Sequence, residues 1–178
     1  YEPKVSADGL TMVFVRRRAG SNADLFEARW SPNGWGEANA IGAINTEADE
    51  LGPELSRDGS SLYFYSDRAG GRGGYDLWVS KLADGKWGTP ANLNAAVNSS
   101  ANEYGPALAA DGKTLFFASN RLRAGEPERE ADTWPATMRE KRSRHDYDLY
   151  SAKAGAEGTE SGWVAAVRAA LLRRVGAA

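Results

Sequence analysis

Apolar residues in this chain arrive in short runs, rich in aromatic and β-branched side chains and closed by turn residues. MVFV from Met12, LYFY from Leu62 and LFFA from Leu115 are three such runs, and their length and their Gly, Pro, Asn and Asp borders predict strands rather than helices. Each begins four residues after the aspartate of an Asp-Gly pair (Asp8-Gly9, Asp58-Gly59, Asp111-Gly112), residues that tolerate the positive φ of a tight hairpin. Asp84-Gly85 predicts a further hairpin ahead of Trp87. A second set of runs opens on Asp24-Leu25-Phe26, Asp76-Leu77-Trp78 and Asp148-Leu149-Tyr150. Trp35-Gly36 and Trp87-Gly88 follow the first two of these aspartates by eleven residues, and Trp163 is the counterpart in the third, four residues late.

These elements recur in a fixed register. Pro3, Pro53 and Pro106 each precede an Asp-Gly pair by five residues, so the period is 50 and then 53. INTEADELGP from Ile44 and VNSSANEYGP from Val97 align over ten positions and lead into the next proline. Each copy holds four strand-length segments, in the second copy P-x-L-S, L-Y-F-Y, D-L-W-V-S and W-G-x-P-x-N-L. Repeated four-stranded units of roughly 40 to 50 residues are the signature of β-propeller blades. The reading is therefore all-β: three four-stranded antiparallel blades over residues 1–49, 50–102 and 103–178, a partial propeller or half of a six-bladed ring.

The segments S-x-D-G, LYFYSDR, GGYDLWVS, WGTPANL and NSSANEYGP resemble the TolB-type, WD-like propeller repeats of bacterial extracytoplasmic proteins. The resemblance covers about residues 1–121, resumes at 145–152 and weakens after Trp163. It implies a β-propeller, a periplasmic or extracellular location, and a non-enzymatic module that binds a protein or a glycan. Some of those proteins join the propeller to an OmpA-like peptidoglycan-binding domain; no segment of that kind is found in these residues.

Composition narrows the partners. The 178 residues are 42% hydrophobic and 26% charged with a formal net charge of −2, and the basic residues are spread along the chain. That distribution argues against a nucleic-acid partner. With zero cysteines there is no disulfide, thiolate metal site or cysteine nucleophile, and no apolar run of about 18 residues predicts a membrane span. Nothing in the motifs implies a cofactor. Three blades do not close a ring, since propellers run from about four to eight. The chain opens at Tyr1-Glu2-Pro3 inside a repeat, so the expectation is a piece of a larger propeller, with pairing of two copies as the alternative.

In a blade, strands A to D run from the central channel outward. The D-to-A linkers (Asn45 to Glu50, Asn98 to Glu103) and the B-to-C loops then open onto one face, and the Asp-Gly turns onto the other. Leu77, Trp78, Tyr63, Phe64, Phe116 and Phe117 read as core between blades, and Trp35 and Trp87 as locks on the outer strands. Arg18 with Asp24, Arg68 with Asp76, and Arg121 with Asp148 flank the B-to-C loops, where a charge-assisted pair would fix the mouth of each hairpin. Gly70 to Gly74 lack the strand, G-x-G-x-x-G and helix order of a phosphate loop and read as a flexible hairpin tip.

The third copy breaks the pattern. Between Arg121 and Asp148 lie 26 residues where the second copy has seven, so 19 are inserted in one loop, residues 122–145. The insert carries six basic and five acidic residues, Trp134 and the single histidine, and a short helix capped by Asp132 or Thr133 is predicted within it. The candidate binding face is Trp134, Arg139, His145 and Asp146 together with Asn45, Glu50, Asn98 and Glu103. His145 has neither a second imidazole nor a cysteine beside it, so no metal site is predicted, and no G-x-S-x-G elbow is present. The alternative function is a glycan-active hydrolase using Glu50, Glu103 and Asp146 as its carboxylates, and the third is a structural spacer. After Trp163 the repeat predicts an outer strand, although Val164, Val167, Leu171 and Val175 also fit a helical stripe.

Overall fold

The computed structural model describes residues 1–17, 20–121, 147–154 and 167–168, and all of their regular structure is strand. The first sheet contains β1 (Lys4–Val5), β2 (Thr11–Arg17), β3 (Ala23–Ser31), β4 (Gly34–Trp35) and β5 (Asn39–Ala40). The second contains β6 (Glu50–Leu55), β7 (Ser61–Ser66), β8 (Asp76–Ala83), β9 (Lys86–Trp87) and β10 (Ala91–Asn92). The third contains β11 (Glu103–Leu108), β12 (Thr114–Ser119), β13 (Asp148–Lys153) and β14 (Val167–Arg168). Every pairing is antiparallel between chain neighbours, apart from β5 and β10, which reach back over a short strand to β3 and β8. The outermost position of the first two sheets is thus filled by two short strands rather than one continuous strand. Trp35 and Trp87 lie on the earlier piece, the Ala-Asn segments on the later.

Turn chemistry sets the hairpins. Gly9, Gly59 and Gly112 have φ of +76°, +70° and +62°, and the preceding aspartates accept hydrogen bonds that close the turn. Asp58 takes the Ser60 amide at 3.0 Å and the Ser56 hydroxyl at 2.6 Å; Asp8 repeats this with Leu10 and Ser6, whereas Asp111, with Ala109 in place of the serine, takes the Lys113 amide and the Thr114 hydroxyl. Asp84 and Gly85 both lie at positive φ, 50° and 72°, as a two-residue hairpin requires.

The register puts Val13, Val15 and Leu25 on one face of the first sheet, and Val5, Met12, Phe14 and Phe26 on the other. The first set is buried against the second sheet. The second sheet is buried on both faces: Leu55, Leu62, Phe64 and Trp78 toward the first sheet, Tyr63, Tyr65, Leu77 and Val79 toward the third. In the third, Leu115, Phe117, Tyr150 and Ala152 are buried and Phe116 is half-buried. The core is therefore a stack of three sheets, with β6 meeting β1, β2 and β3, and β11 meeting β6, β7 and β8. This is the arrangement of consecutive propeller blades, and the three sheets are called blades below. Val167 is a strand residue paired with Ser151, in line with the outer strand rather than the helical stripe. Trp163, most of the C-terminal segment and the whole insertion 122–145 lie outside the described residues.

Candidate functional site on the linker face

The linkers and the B-to-C loops meet at one end of the blades, as the repeat predicts. Their asparagines and glutamates hold the chain together there. Asn45 accepts from the Leu25 amide at 2.8 Å and donates to the Leu25 carbonyl at 2.9 Å, a carbonyl that also accepts from the Ile41 amide at 3.0 Å. Asn98 does the same for Leu77, at 2.9 Å in both directions, and also donates to the Leu93 carbonyl at 2.7 Å.

Glu50 and Glu103 are 0% exposed. Glu50 accepts from the Thr46 amide and hydroxyl, the Ser66 hydroxyl, and Arg68 Nη2 at 3.0 Å. Glu103 takes the equivalent Ser99 amide and hydroxyl, the Ser119 hydroxyl, and Arg121 Nη2 at 3.2 Å. Each arginine also donates to the carbonyl that ends the preceding blade, Arg68 to Ile44 at 2.7 Å and Arg121 to Val97. Each stacks over two aromatic rings of its own blade: Phe64 and Trp78 for Arg68, Phe117 and Tyr150 for Arg121. Burial pushes the Glu50 carboxyl above the ordinary carboxylate range, opposed by its bonds to Thr46, Arg68 and Ser66.

Three sequence expectations are corrected by this geometry. Glu50, Glu103 and Asn98 are not exposed binding groups, because their polar atoms are used up in buried hydrogen bonds; Asn45 is half-buried in the same role. A glycosidic bond has no route to either glutamate. The partner of Arg68 is Glu50, not Asp76. Asp76 instead accepts from the Arg72 and Gly73 amides of its own hairpin and from Asn92 Nδ2. That hairpin is not a loose tip either: a Cβ on Gly73 would lie 1.9 Å from the Ala101 carbonyl oxygen. Asp24 accepts from Asn22 Nδ2 at 3.2 Å, and Asp148 opens β13. Arg18, Trp134, Arg139, His145 and Asp146 lie outside the described residues.

Beyond these residues the face has an inner rim that the motif reading passed over. At the first junction Arg17 pairs with Asp49, whose carboxylate also accepts from the Ala23 amide and the Tyr75 hydroxyl, while the Asp49 amide donates to Asp67. At the second junction Asn102 replaces Asp49 and Asn120 replaces Asp67, with the same backbone bonds at 2.8 Å. Aligning the repeats column by column exposes this set, since Arg17, Asp67 and Asn120 share one column and Asp49 and Asn102 another. Behind the rim, Tyr65, Tyr75, Tyr104 and Tyr147 pack ring against ring at 5.4 to 5.8 Å. Burial raises the Tyr65 and Tyr75 hydroxyl pKa, so both remain protonated donors at neutral pH. Among the described residues no cluster of three or more His, Cys, Asp and Glu is arranged to hold a metal.

At the outer edge Trp87 donates to Glu27 of the first blade at 2.8 Å, latching the two blades beside a surface cavity of about 360 Å³ that Ile41 and Lys86 also line. Its counterpart Trp35 stays 39% exposed and packs edge-on against Trp30 at 5.4 Å.

Solved structures share this arrangement. A putative TolB from Agrobacterium tumefaciens superposes with a TM-score of 0.56 at 17% identity, over 92% of this chain and 48% of that one. TolB-type propeller is the fold of this chain. TolB from Acinetobacter baumannii matches at 0.54 and 16%, over 85% of this chain and 29% of its own. A hypothetical selenium-binding protein from Sulfolobus tokodaii matches at 0.52 and 12%, over 88% and 38%. The chain thus spans half or less of the length of each of these TolB-type and related structures. No protein-family model matches the sequence, and no curated protein matches it.

Proposed function

We propose that this chain is a non-enzymatic, extracytoplasmic β-propeller module that captures a protein partner on its linker face, with residues 122–145 as the main contact segment. The observation that carries this reading is where the insertion is rooted. Arg121, the last described residue before it, is held by Glu103, Ser119 and the Val97 carbonyl. Tyr147, the first described residue after it, packs on Tyr104 at 5.5 Å. Both roots are tied into the hydrogen-bonded and aromatic framework of the linker face, the kind of base on which repeat scaffolds carry binding loops. A protein is favoured over a glycan because the described rim offers exposed charges, among them Arg17, Glu47, Asp67 and Arg72, while Tyr65, Tyr75 and Tyr104 are buried and present no ring for a sugar to stack on. The fold likeness to TolB supports an extracytoplasmic setting.

Deleting Glu126 to Arg142 tests the reading. Cross-linking to an envelope extract, read by mass spectrometry, should lose its specific prey in the deletion variant while the thermal midpoint stays within about 2 °C of wild type. Trp134→Ala and Arg139→Ala should weaken the same capture singly, and His145→Ala with Asp146→Asn tests the C-terminal root. Unchanged capture in the deletion variant would leave a spacer.

A further inference from the structure

Asn33-Gly34 is the chain's one Asn-Gly pair, and it sits in the hairpin between β3 and β4. Trp30 pairs with Trp35 and Ser31 with Gly34, so Pro32 and Asn33 form the loop, where the second blade has Asp84 and Gly85. Proline fixes its own φ at about −65°. The positive φ of this turn therefore falls on Gly34, at 100°. The Ser31 hydroxyl accepts from the Asn33 amide at 3.3 Å and donates to the Gly34 carbonyl at 3.1 Å, shaping the backbone on both sides of the pair. The Asn33 side chain is exposed and makes no hydrogen bond among the described residues. A Cβ on Gly34 would meet nothing within 4 Å, so the space beside its Cα is open.

We propose that Asn33 is a modification site, at which the side-chain amide is converted to aspartate and isoaspartate by the protein's own backbone and water. The Gly34 nitrogen attacks Asn33 Cγ: an N–Cγ bond forms, the Gly34 N–H proton passes to solvent, and Nδ2 takes a proton from solvent and leaves as ammonia. Water then opens the resulting succinimide at either carbonyl, giving aspartate or isoaspartate with no change of oxidation state. Glycine favours the step, because it has no Cβ to obstruct the closing ring and has the backbone freedom to reach it. The structure separates Asn33 from the other candidates. Asn98, followed by Ser99, is 1% exposed and its amide is bonded to Leu77 and Leu93, so ring closure there needs local unfolding. Asp8, Asp58, Asp84 and Asp111 also precede glycines, but an ionised carboxylate is a poor electrophile. Three of them are also held in place by the turn amides. Either product adds one negative charge to a chain whose formal net charge is −2. Isoaspartate also routes the main chain through the side-chain carbon, which lengthens the loop between Trp30 and Trp35 and pulls on their edge-on contact at 5.4 Å.

The test is to incubate residues 1–178 folded, at neutral and at mildly alkaline pH, and to map the products by peptide mass spectrometry, with isoaspartate read by an isoaspartyl methyltransferase. In the folded protein, conversion at Asn33 should be at least about 100-fold faster than at Asn98, since only Asn98 must first break its buried hydrogen bonds. The rate at Asn33 should rise with pH, because the attack needs the deprotonated nitrogen. In urea both sites are freed, and the gap should shrink to the difference between glycine and serine as the following residue. Asn33→Gln, a change confined to an exposed loop, should suppress conversion at this site, because the longer side chain must close a larger ring. An Asn33 that stays intact in the folded protein, over a period in which the urea-unfolded chain converts it, overturns the proposal: the hairpin would then protect the pair. Conversion of the folded protein that begins at Asn98 or at another asparagine overturns it as well.

Discussion

Arg68 Nη2 lies 3.0 Å from Glu50 Oε1 inside the second blade, with the carboxylate fully buried and the guanidinium stacked on Phe64 and Trp78. The pair joins the linker that enters the blade to the strand that leaves its channel side, and Glu103 with Arg121 repeats it one blade on. Removing one member strands a buried charge, which costs about 3–5 kcal/mol. Glu50→Ala should therefore lower stability in urea by about that amount. Adding Arg68→Met should recover part of the loss, because the remaining charge is then gone as well. A single-variant loss below about 1 kcal/mol would show that water or another group satisfies Arg68.

Gly73 and Gly59 separate two reasons for glycine. Gly59 sits at φ +70° with open space around its Cα, so Gly59→Ala should cost about 1–2 kcal/mol from backbone strain alone. Gly73 is pressed against the linker, where a Cβ would fall 1.9 Å from the Ala101 carbonyl oxygen and 2.9 Å from two further backbone atoms. Backbone cannot yield as a side-chain tip can, so Gly73→Ala should cost more than Gly59→Ala and should detach the hairpin from residues 99–101. Hydrogen exchange at Gly74, whose amide bonds to Ala101, would report that release directly.

The architecture was legible because each blade repeats its own turn chemistry: Asp58-Gly59 and Asp84-Gly85 form the hairpins their residue types demand. The partner of Arg68 was not legible. Ser66 is the strand partner of both Glu50 and Asp76, so both carboxylates flank the same column, one on each side. Which of them meets the arginine depends on the Arg72 and Gly73 amides having already taken Asp76, a matter of loop shape rather than spacing. Phe116 illustrates a second limit. It reads as core like Tyr63 in the same repeat column, yet it is half-buried where Tyr63 is 9% exposed, a difference set by which blade lies alongside rather than by the repeat pattern. The column of Arg17, Asp67 and Asn120 was readable in principle, since it is polar in every copy, but its chemistry changes from blade to blade and so forms no motif.

Asn98 accepts from the Leu77 amide and shares the Leu77 carbonyl with the Leu93 amide inside the core. Asn98→Ala leaves the Leu77 amide and the Leu93 carbonyl without this partner, while the Leu77 carbonyl keeps the Leu93 amide, and each buried group so stranded costs about 1–3 kcal/mol. Asn45→Ala removes the same two bonds to Leu25 at a half-buried site where water can replace them. The Asn98 variant should thus be the less stable of the two in chemical denaturation. Equal losses would show that burial does not set the cost.

The three Asp-Gly turns each hold a carboxyl below its ordinary range, which predicts a contribution to acid sensitivity. The Ser56 hydroxyl, with the Ser60 amide, lowers the Asp58 carboxyl from 3.8 to about 2. Asp8 is lowered by Ser6 and the Leu10 amide, and Asp111 by the Lys113 amide and Thr114. A carboxyl depressed by folding stabilises the folded state fully above its unfolded value and loses that contribution as pH falls through the folded value. Stability should therefore decline from pH 3.8 downward, through about 2 for Asp58. All three turns are solvent-exposed, so the effect should be modest for each and visible in their sum. A variant carrying Asp8→Asn, Asp58→Asn and Asp111→Asn should show a flatter decline over that window. Glu50 acts in the opposite sense: its raised carboxyl favours the protonated folded state, so its contribution is present below 4.5 and is lost as pH rises through its folded value. Thermal midpoints measured across the acid window should show the triple variant flattening the acid limb and leaving the profile above it unchanged. A triple variant whose midpoint falls with acid as steeply as wild type would place the titrating groups elsewhere.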